Sequence, residues 1–254
     1  MAGKSVRKNI SQIARDKNKT NLDFVIKRLI ENHLIGSTLI EGSTFTELEA
    51  KLVLEGNSVC GHVIDEHLEL LNGRDAASFI HRVFFEERLI NVATLDKAHA
   101  ILFKQVGSAT EKTPGRNRAA TKLAAFTVLL DKGAPRRFEY ENVIKLKTNL
   151  PAFVEYHLNR KLPVDKNLSL LRLAQLYFHF EMLHPYPDGN GRIGRFLVSA
   201  KAAAEKQWFF RFNLSDGPQH LRIMMDATLK YSESRQEPEL CELADFIKDR
   251  LEAL

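Results

Sequence analysis

A histidine, a carboxylate and two arginines fall within twelve residues of this chain: His184-Pro185-Tyr186-Pro187-Asp188-Gly189-Asn190-Gly191-Arg192-Ile193-Gly194-Arg195. An imidazole with an ordinary pKa of ~6.5 accepts a proton at neutral pH, so His184 is a candidate general base. Asp188 offers hard oxygen donors, the kind Mg2+ takes together with phosphate and water. Gly189-Asn190-Gly191 can adopt backbone angles that most residues avoid, and successive N–H groups in such a turn converge on an anion. Ile193, Phe196, Leu197 and Ala200 then follow at helical spacing. The nest therefore opens a helix, where unbonded N–H groups and the helix dipole favour phosphate. Arg192 and Arg195, three apart, share a face of that helix. The stretch reads as a nucleoside triphosphate site.

These twelve residues resemble the motif of the Fic family, His-Pro-Phe-x-Asp/Glu-Gly-Asn-Gly-Arg-x-x-Arg, with Tyr186 in place of the usual phenylalanine. Upstream, Ser37-Thr38-Leu39-Ile40-Glu41-Gly42 is similar to the inhibitory Ser/Thr-x-x-x-Glu-Gly/Asn segment of Fic proteins called class II. The resemblance implies an all-α Fic fold, a helical bundle with a small β-hairpin flap over the active site. It also implies AMP transfer from ATP to a Ser, Thr or Tyr hydroxyl of a protein target, with release of pyrophosphate. In that scheme His184 is the base and Asp188 holds Mg2+. Gly189, Asn190 and Gly191 form the anion hole, and Arg192 and Arg195 bind phosphates. Ser37, Glu41 and Gly42 make the inhibitory segment, with Glu41 pairing Arg195. A planar guanidinium fork suits a carboxylate well, and an Arg195 so paired is withheld from the γ-phosphate.

Spacing alone does not separate attack at the α-phosphate from attack at the γ-phosphate. Three alternatives stand beside AMP transfer. They are removal of AMP by a water that Glu41 positions, transfer of another phosphate-containing group, and nucleotide sensing without catalysis. An intact His184 and Asp188 count against the last. Self-modification and control by dimerisation both occur in the family.

The elements that must position these residues are mostly helical. Leu22, Val25, Ile26, Leu29, Ile30 and Leu34 predict a helix that Gly36 ends or bends. Thr44 and Glu47 fit a capping box before a short helix to Gly56. Val63 to Phe84 carry a long helical pattern that Gly73 interrupts, and a further helix spans about 94–106. Asp65-Glu66-His67 matches no familiar metal-ligand spacing and reads as helix surface. Residues 107–140 are the least helical part. Apolar, β-branched residues up to Leu130, a Lys132-Gly133 turn and a return from Arg136 to Tyr140 predict a hairpin. Gly115-Arg116-Asn117-Arg118 fits the Gly-x-x-Arg that precedes the Fic flap, so the flap lies within about 115–140. The family's Val-x-Ile in the first flap strand is not evident.

Pro151 predicts two helical pieces over 141–159. Asn167 is the expected cap of a buried central helix, 168–183, apolar nearly all round. His179 on it reads as core or as support behind the site, not as a catalytic group, and Tyr177 stands where many Fic proteins have a second histidine. Helices to about Lys206, from Pro218 to Tyr231 and from Pro238 to Leu251 complete the chain, with Trp208-Phe209-Phe210 as a core cluster.

The 254 residues are 44% hydrophobic and 27% charged, the composition of an ordinary globular protein. We divide them into a basic tail, 1–20, and a single domain, 21–254. The net charge of +5 resides in that tail, where Lys4, Arg7, Lys8, Arg15, Lys17 and Lys19 face Asp16 alone. A solvated tail accounts for the excess, rather than a nucleic-acid surface. No apolar run approaches the ~20 residues that span a bilayer. The N-terminus lacks a secretory apolar core, and Cys60 and Cys241 lie far apart; together these point to a reducing, cytoplasmic setting.

Overall fold

The computed structural model describes residues 19–86, 89–107, 113–131, 133–234 and 236–253. The basic tail thus lies outside the described residues, except Lys19 and Thr20. Among the described residues, ten α-helices and two small sheets follow one another: α1 Lys19–Ile40, α2 Glu47–Leu54, α3 Ile64–Phe85, α4 Val92–Leu102, α5 Arg118–Thr121, β1 Phe126–Asp131, β2 Ala134–Glu139, α6 Val143–Phe153, α7 Lys166–Leu183, α8 Asn190–Lys206, β3 Trp208–Phe210, α9 Gly217–Ser234, α10 Cys241–Lys248 and β4 Leu251–Ala253. None of the described helices is long and apolar enough to cross a membrane.

The bundle is organised around α7 and α8, which pack on each other. Leu173, Ala174, Leu176, Phe178 and Phe180 of α7 are buried, while Arg172, Gln175 and His179 form a part-exposed face, so the helix is less completely enclosed than its apolar sequence suggested. Helix α8 also packs on α3, α3 lies between α1 and α4, and α10 covers α7. Asp165, not Asn167, caps α7: its side chain accepts the Leu168 N–H at 2.8 Å. At the far end of α8, the buried Lys201 ammonium donates to the Leu158 and Arg160 carbonyls and to Glu205. This ties the bundle to the π-helical stretch Val154–Asn159 that continues α6. Pro151 sits inside α6, so the second piece expected after it is this continuation and not a separate helix.

Other boundaries also differ from the sequence reading. Helix α1 runs through Gly36, where a side chain would collide with the Phe212 carbonyl. The residue permits close packing and does not stop the helix. The chain turns off later, with the Glu41 N–H bonded to Thr38 O and the Gly42 N–H to Leu39 O, both at 3.2 Å. The capping box of α2 is Thr46 with Glu49, two residues beyond the expected pair. Thr44 is instead engaged across the chain by His62 and Glu66. Gly73 leaves α3 unbroken, because it faces the Leu34 side chain at close range. Trp208–Phe210 forms a strand, paired antiparallel with Leu251–Ala253, so α10 ends before Leu251.

The hairpin is present. Register runs from Phe126 opposite Glu139 to Asp131 opposite Ala134, which leaves a two-residue turn at 132–133. Lys132 lies outside the described residues. Leu129 and Phe138 are buried against the bundle, whereas Phe126, Val128 and Leu130 alternate with them and are exposed. A two-stranded ribbon is only marginally stable alone. Its one buried face is what holds it here.

Candidate active site

The site forms where α7 ends and α8 begins. His184 closes α7 in a left-handed conformation, φ 43°, and its N–H still bonds to Phe180 O. An L-residue reaches that region at a cost, so something must hold it there. Arg118 does so. Its buried guanidinium donates to four carbonyls: Nε to His184 (2.6 Å), Nη2 to Leu183 (3.0 Å) and Glu141 (2.9 Å), and Nη1 to Leu123 (3.2 Å). Its own N–H bonds to Pro185 O at 2.7 Å. One cation thus satisfies the last carbonyls of α7, where positive charge is favourable. It also ties the two ends of the hairpin to the base.

The imidazole of His184 lies flat on Tyr140, with ring centroids 3.9 Å apart and 11° between planes. Burial, reinforced by the Arg118 guanidinium, lowers its pKa to about 4; the Glu181 backbone and the Asp188 and Glu41 carboxylates oppose the shift. His184 is therefore neutral at pH 7 and able to accept a proton.

The turn from His184 to Asn190 is built from within. Asn190 Oδ1 accepts the Tyr186 N–H at 2.9 Å and its Nδ2 donates to Tyr186 O at 2.7 Å. The Asn190 side chain thus shapes the loop, and only its backbone N–H remains for an anion. Tyr186 is fully buried. Its ring stacks on His99 (4.1 Å, 7°) and its hydroxyl donates to Asp96 Oδ1. His99 bridges two loops: its Nδ1 accepts the Gly115 N–H at 3.0 Å, so its Nε2 carries the proton donated to Asp188 O at 3.2 Å. Burial pushes the His99 pKa down to about 4, consistent with that neutral tautomer.

Gly189 caps α8 at φ 76° with no side-chain cap, and a Cβ there would strike Phe103 and Leu102. The first N–H groups of α8 lack intrahelical acceptors. Asp188 Oδ1 accepts the Gly189 N–H at 2.6 Å, and this carboxylate, 40% exposed, lies 3.7 Å from Arg192. Buried Arg192 donates to Glu69 Oε2 at 2.9 Å and stands over the Phe103 ring.

The upstream segment meets this helix start. Arg195 Nε donates to Ser37 Oγ at 2.8 Å, and its Nη2 donates to Ser37 O at 3.1 Å and to Glu41 Oε1. A Cβ on Gly191 would lie 2.6 Å from the same Glu41 oxygen. The Glu41 carboxylate therefore rests on the first turn of α8. Burial alone would raise its pKa, but Arg195 outweighs that and holds it below the usual range. Burial alone would lower the pKa of Arg195, and Glu41 more than compensates. Gly42 contributes only the turn.

Nine of the ten residues expected from the two segments thus lie together, and Gly42 stands beside them in the exposed turn after Glu41. Arg118, His99, Asp96, Glu69, Tyr140 and Glu181 were not foreseen as parts of the site. Only Arg118 carried a sequence signal, as the last residue of the Gly-x-x-Arg stretch.

Residues 89–200 match the Fic/DOC family model. The chain carries a Fic/DOC family domain. Over 176 residues it is 25% identical to the protein adenylyltransferase Fic of Nematostella vectensis, a match covering 69% of this chain and 38% of that one. The chain thus spans well under half the length of this relative. Its fold is similar to a Fic domain containing signaling protein from Bacteroides thetaiotaomicron (TM-score 0.75, 15% identity, 95% of this chain and 89% of the other). It is also similar to a Fic family protein from Desulfovibrio desulfuricans (TM-score 0.66, 17% identity, 95% and 70%). At such identities the likeness speaks for the fold. The α7–α8 turn and its motif fall inside the Fic match, whereas Ser37 and Glu41 lie outside it.

Proposed function

We propose that the chain is a Fic-type protein adenylyltransferase restrained by Glu41. The observation that carries this reading is the Glu41 carboxylate, an anion seated on the uncapped first turn of α8 and paired with Arg195. A site that holds one anion so can hold the phosphates of ATP in its place. Asp188 fits Mg2+: it is a partly exposed carboxylate beside that turn, and it would hold the ion together with phosphate oxygens and waters. When bound, the ion would neutralise charge on the phosphates.

The chemistry then follows from positioning and electrostatics. Neutral His184 takes the proton from a Ser, Thr or Tyr hydroxyl of the target. The hydroxyl oxygen bonds to the α-phosphorus as the bond to the β-phosphate bridging oxygen breaks. Pyrophosphate departs, its charge met by Arg192, Arg195 and the α8 N–H groups. Glu41 blocks this by occupying the seat and the guanidinium. The same carboxylate, held ionised and electrostatically coupled to His184, also supports the reverse reading, in which it orients a water that removes AMP.

The test uses Mg2+ with ATP labelled on the α- or on the γ-phosphate. Label retained on protein from the α position alone, raised in Glu41→Gly and absent in His184→Ala, is the expected result. Label from the γ position alone would replace this reading with phosphoryl transfer.

A further inference from the structure

Tyr140 is the residue through which the hairpin reaches the base. It directly follows β2, and its N–H bonds to Ala125 O at 3.1 Å, which closes the foot of the hairpin. Its ring meets Phe138 of β2 edge to face at 5.3 Å, and its hydroxyl interacts with the Thr127 side chain of β1. The other side of the story is the stack on His184. The next residue is fixed to the end of α7 twice, by Glu141 N–H to Met182 O at 3.2 Å and by Arg118 Nη2 to Glu141 O. Arg118 also holds His184 O, so one guanidinium keeps the two stacked rings in register.

We propose that Tyr140 is a positioning residue that fixes the His184 imidazole for proton abstraction and couples the hairpin to that base. The proposal rests on the transfer reading above. The charged and titratable groups around His184 are Arg118 on α5, Asp188 before α8, Glu41 after α1 and Glu181 on α7, and none of them packs on its ring face as Tyr140 does. A base must hold its lone pair on the hydroxyl to within tens of degrees, and an imidazole at a helix end turns about two side-chain torsions. The flat phenol ring removes that freedom. Its electron-rich face also favours the imidazolium that forms once the proton is taken.

The test has two arms. In the resting protein, NMR reads the His184 side-chain rotamer and the ring-current shift of its Hε1. Wild type and Tyr140→Phe are expected to show one rotamer and an upfield shift, and Tyr140→Leu to lose both. In a Glu41→Gly background, Tyr140→Leu is expected to lower kcat of transfer about tenfold with the KM for ATP within about twofold, while Tyr140→Phe restores it. Tyr140→Met serves in place of leucine if that protein does not fold. An unchanged His184 rotamer without the ring overturns the proposal whether or not turnover is seen. Equal loss of kcat in the phenylalanine and leucine proteins also overturns it. Absence of label in every protein, with the rotamer lost only in Tyr140→Leu, leaves the stack standing and removes the transfer reading instead.

Discussion

The hydroxyl of Tyr186 donates to Asp96 Oδ1 at 2.9 Å, and Asn117 Nδ2 donates to both oxygens of the same carboxylate at 3.2 Å. The departure from the family's phenylalanine therefore has a partner on α4. Burial raises the pKa of Asp96, and the Asn117 and Tyr186 bonds restrain the rise. Replacing Tyr186 by Phe is expected to destabilise the fold by about 1–3 kcal/mol, because the half-buried Asp96 carboxylate loses one of its two donors. In Asp96→Leu the same change should cost little. Urea denaturation of the four proteins measures this, and equal costs in both backgrounds would show that the bond contributes nothing.

Arg118 serves four carbonyls from three stretches of chain. Arg118→Met keeps the stem and strands those carbonyls. Losses of this kind reach about 3–5 kcal/mol, at the severe end for a single change. Arg118→Lys should recover less than half, since an ammonium lacks the planar fork. A guanidinium chloride midpoint unchanged in Arg118→Met would refute the assignment.

Gly191 and Glu41 are coupled by space. A methyl group at Gly191 would meet the Glu41 carboxylate at 2.6 Å and Arg195 Nη1 at 3.0 Å. Gly191→Ala is expected to lower the melting temperature by several degrees in wild type and by less in Glu41→Gly, where the nearer atom is gone. Residues in contact deviate from additivity by about 0.5–3 kcal/mol. Strict additivity in calorimetry would mean that Glu41 does not rest on this turn in solution.

Stability should peak close to neutral pH. Burial lowers His81, His99 and His184 to about 4, and His157 and His220 to about 3. Below ~6.5 the unfolded chain binds protons that these folded imidazoles refuse, so stability is lost as pH falls. Glu181 works in the opposite sense. Burial raises it to about 8, Arg195 resists, and the Glu41 charge adds to the rise. The folded state keeps that proton while the unfolded state releases it, so stability also declines as pH climbs from about 4.5 to about 8. Melting curves at several pH values should therefore form a peak. Glu181→Gln should flatten the alkaline side, and an unaltered alkaline slope would contradict the burial argument.

The turn and helix start of the candidate site are legible in the sequence because they depend on residue identity at short spacing. The twelve residues from His184 to Arg195 carry their own turn, and Asn190 binds Tyr186 four positions away. The pairing of Glu41 with Arg195 came from likeness to a family, since no local pattern joins residues so far apart, and the two bonds from Arg195 to Ser37 were not foreseen. What stayed hidden was long-range or close-packed. Gly36 looks like a helix stop until Phe212 is seen against it. Trp208–Phe210 reads as core because its partner strand, Leu251–Ala253, is short and distant. Asp165, Thr46 and Glu49 cap where alternatives one or two residues away were equally good by type. His99 gave no signal at all, being one imidazole on an apolar helix.

Ser37 holds Arg195 through two atoms, its hydroxyl and its carbonyl, and both bonds are independent of Glu41. Swinging the Glu41 side chain away would leave the guanidinium already extended and aimed at the α8 turn. Opening the seat then asks for one ion pair to break and one side chain to turn, and not for the travel of a helix. On the transfer reading proposed above, whatever lifts the carboxylate would find Arg195 already in place.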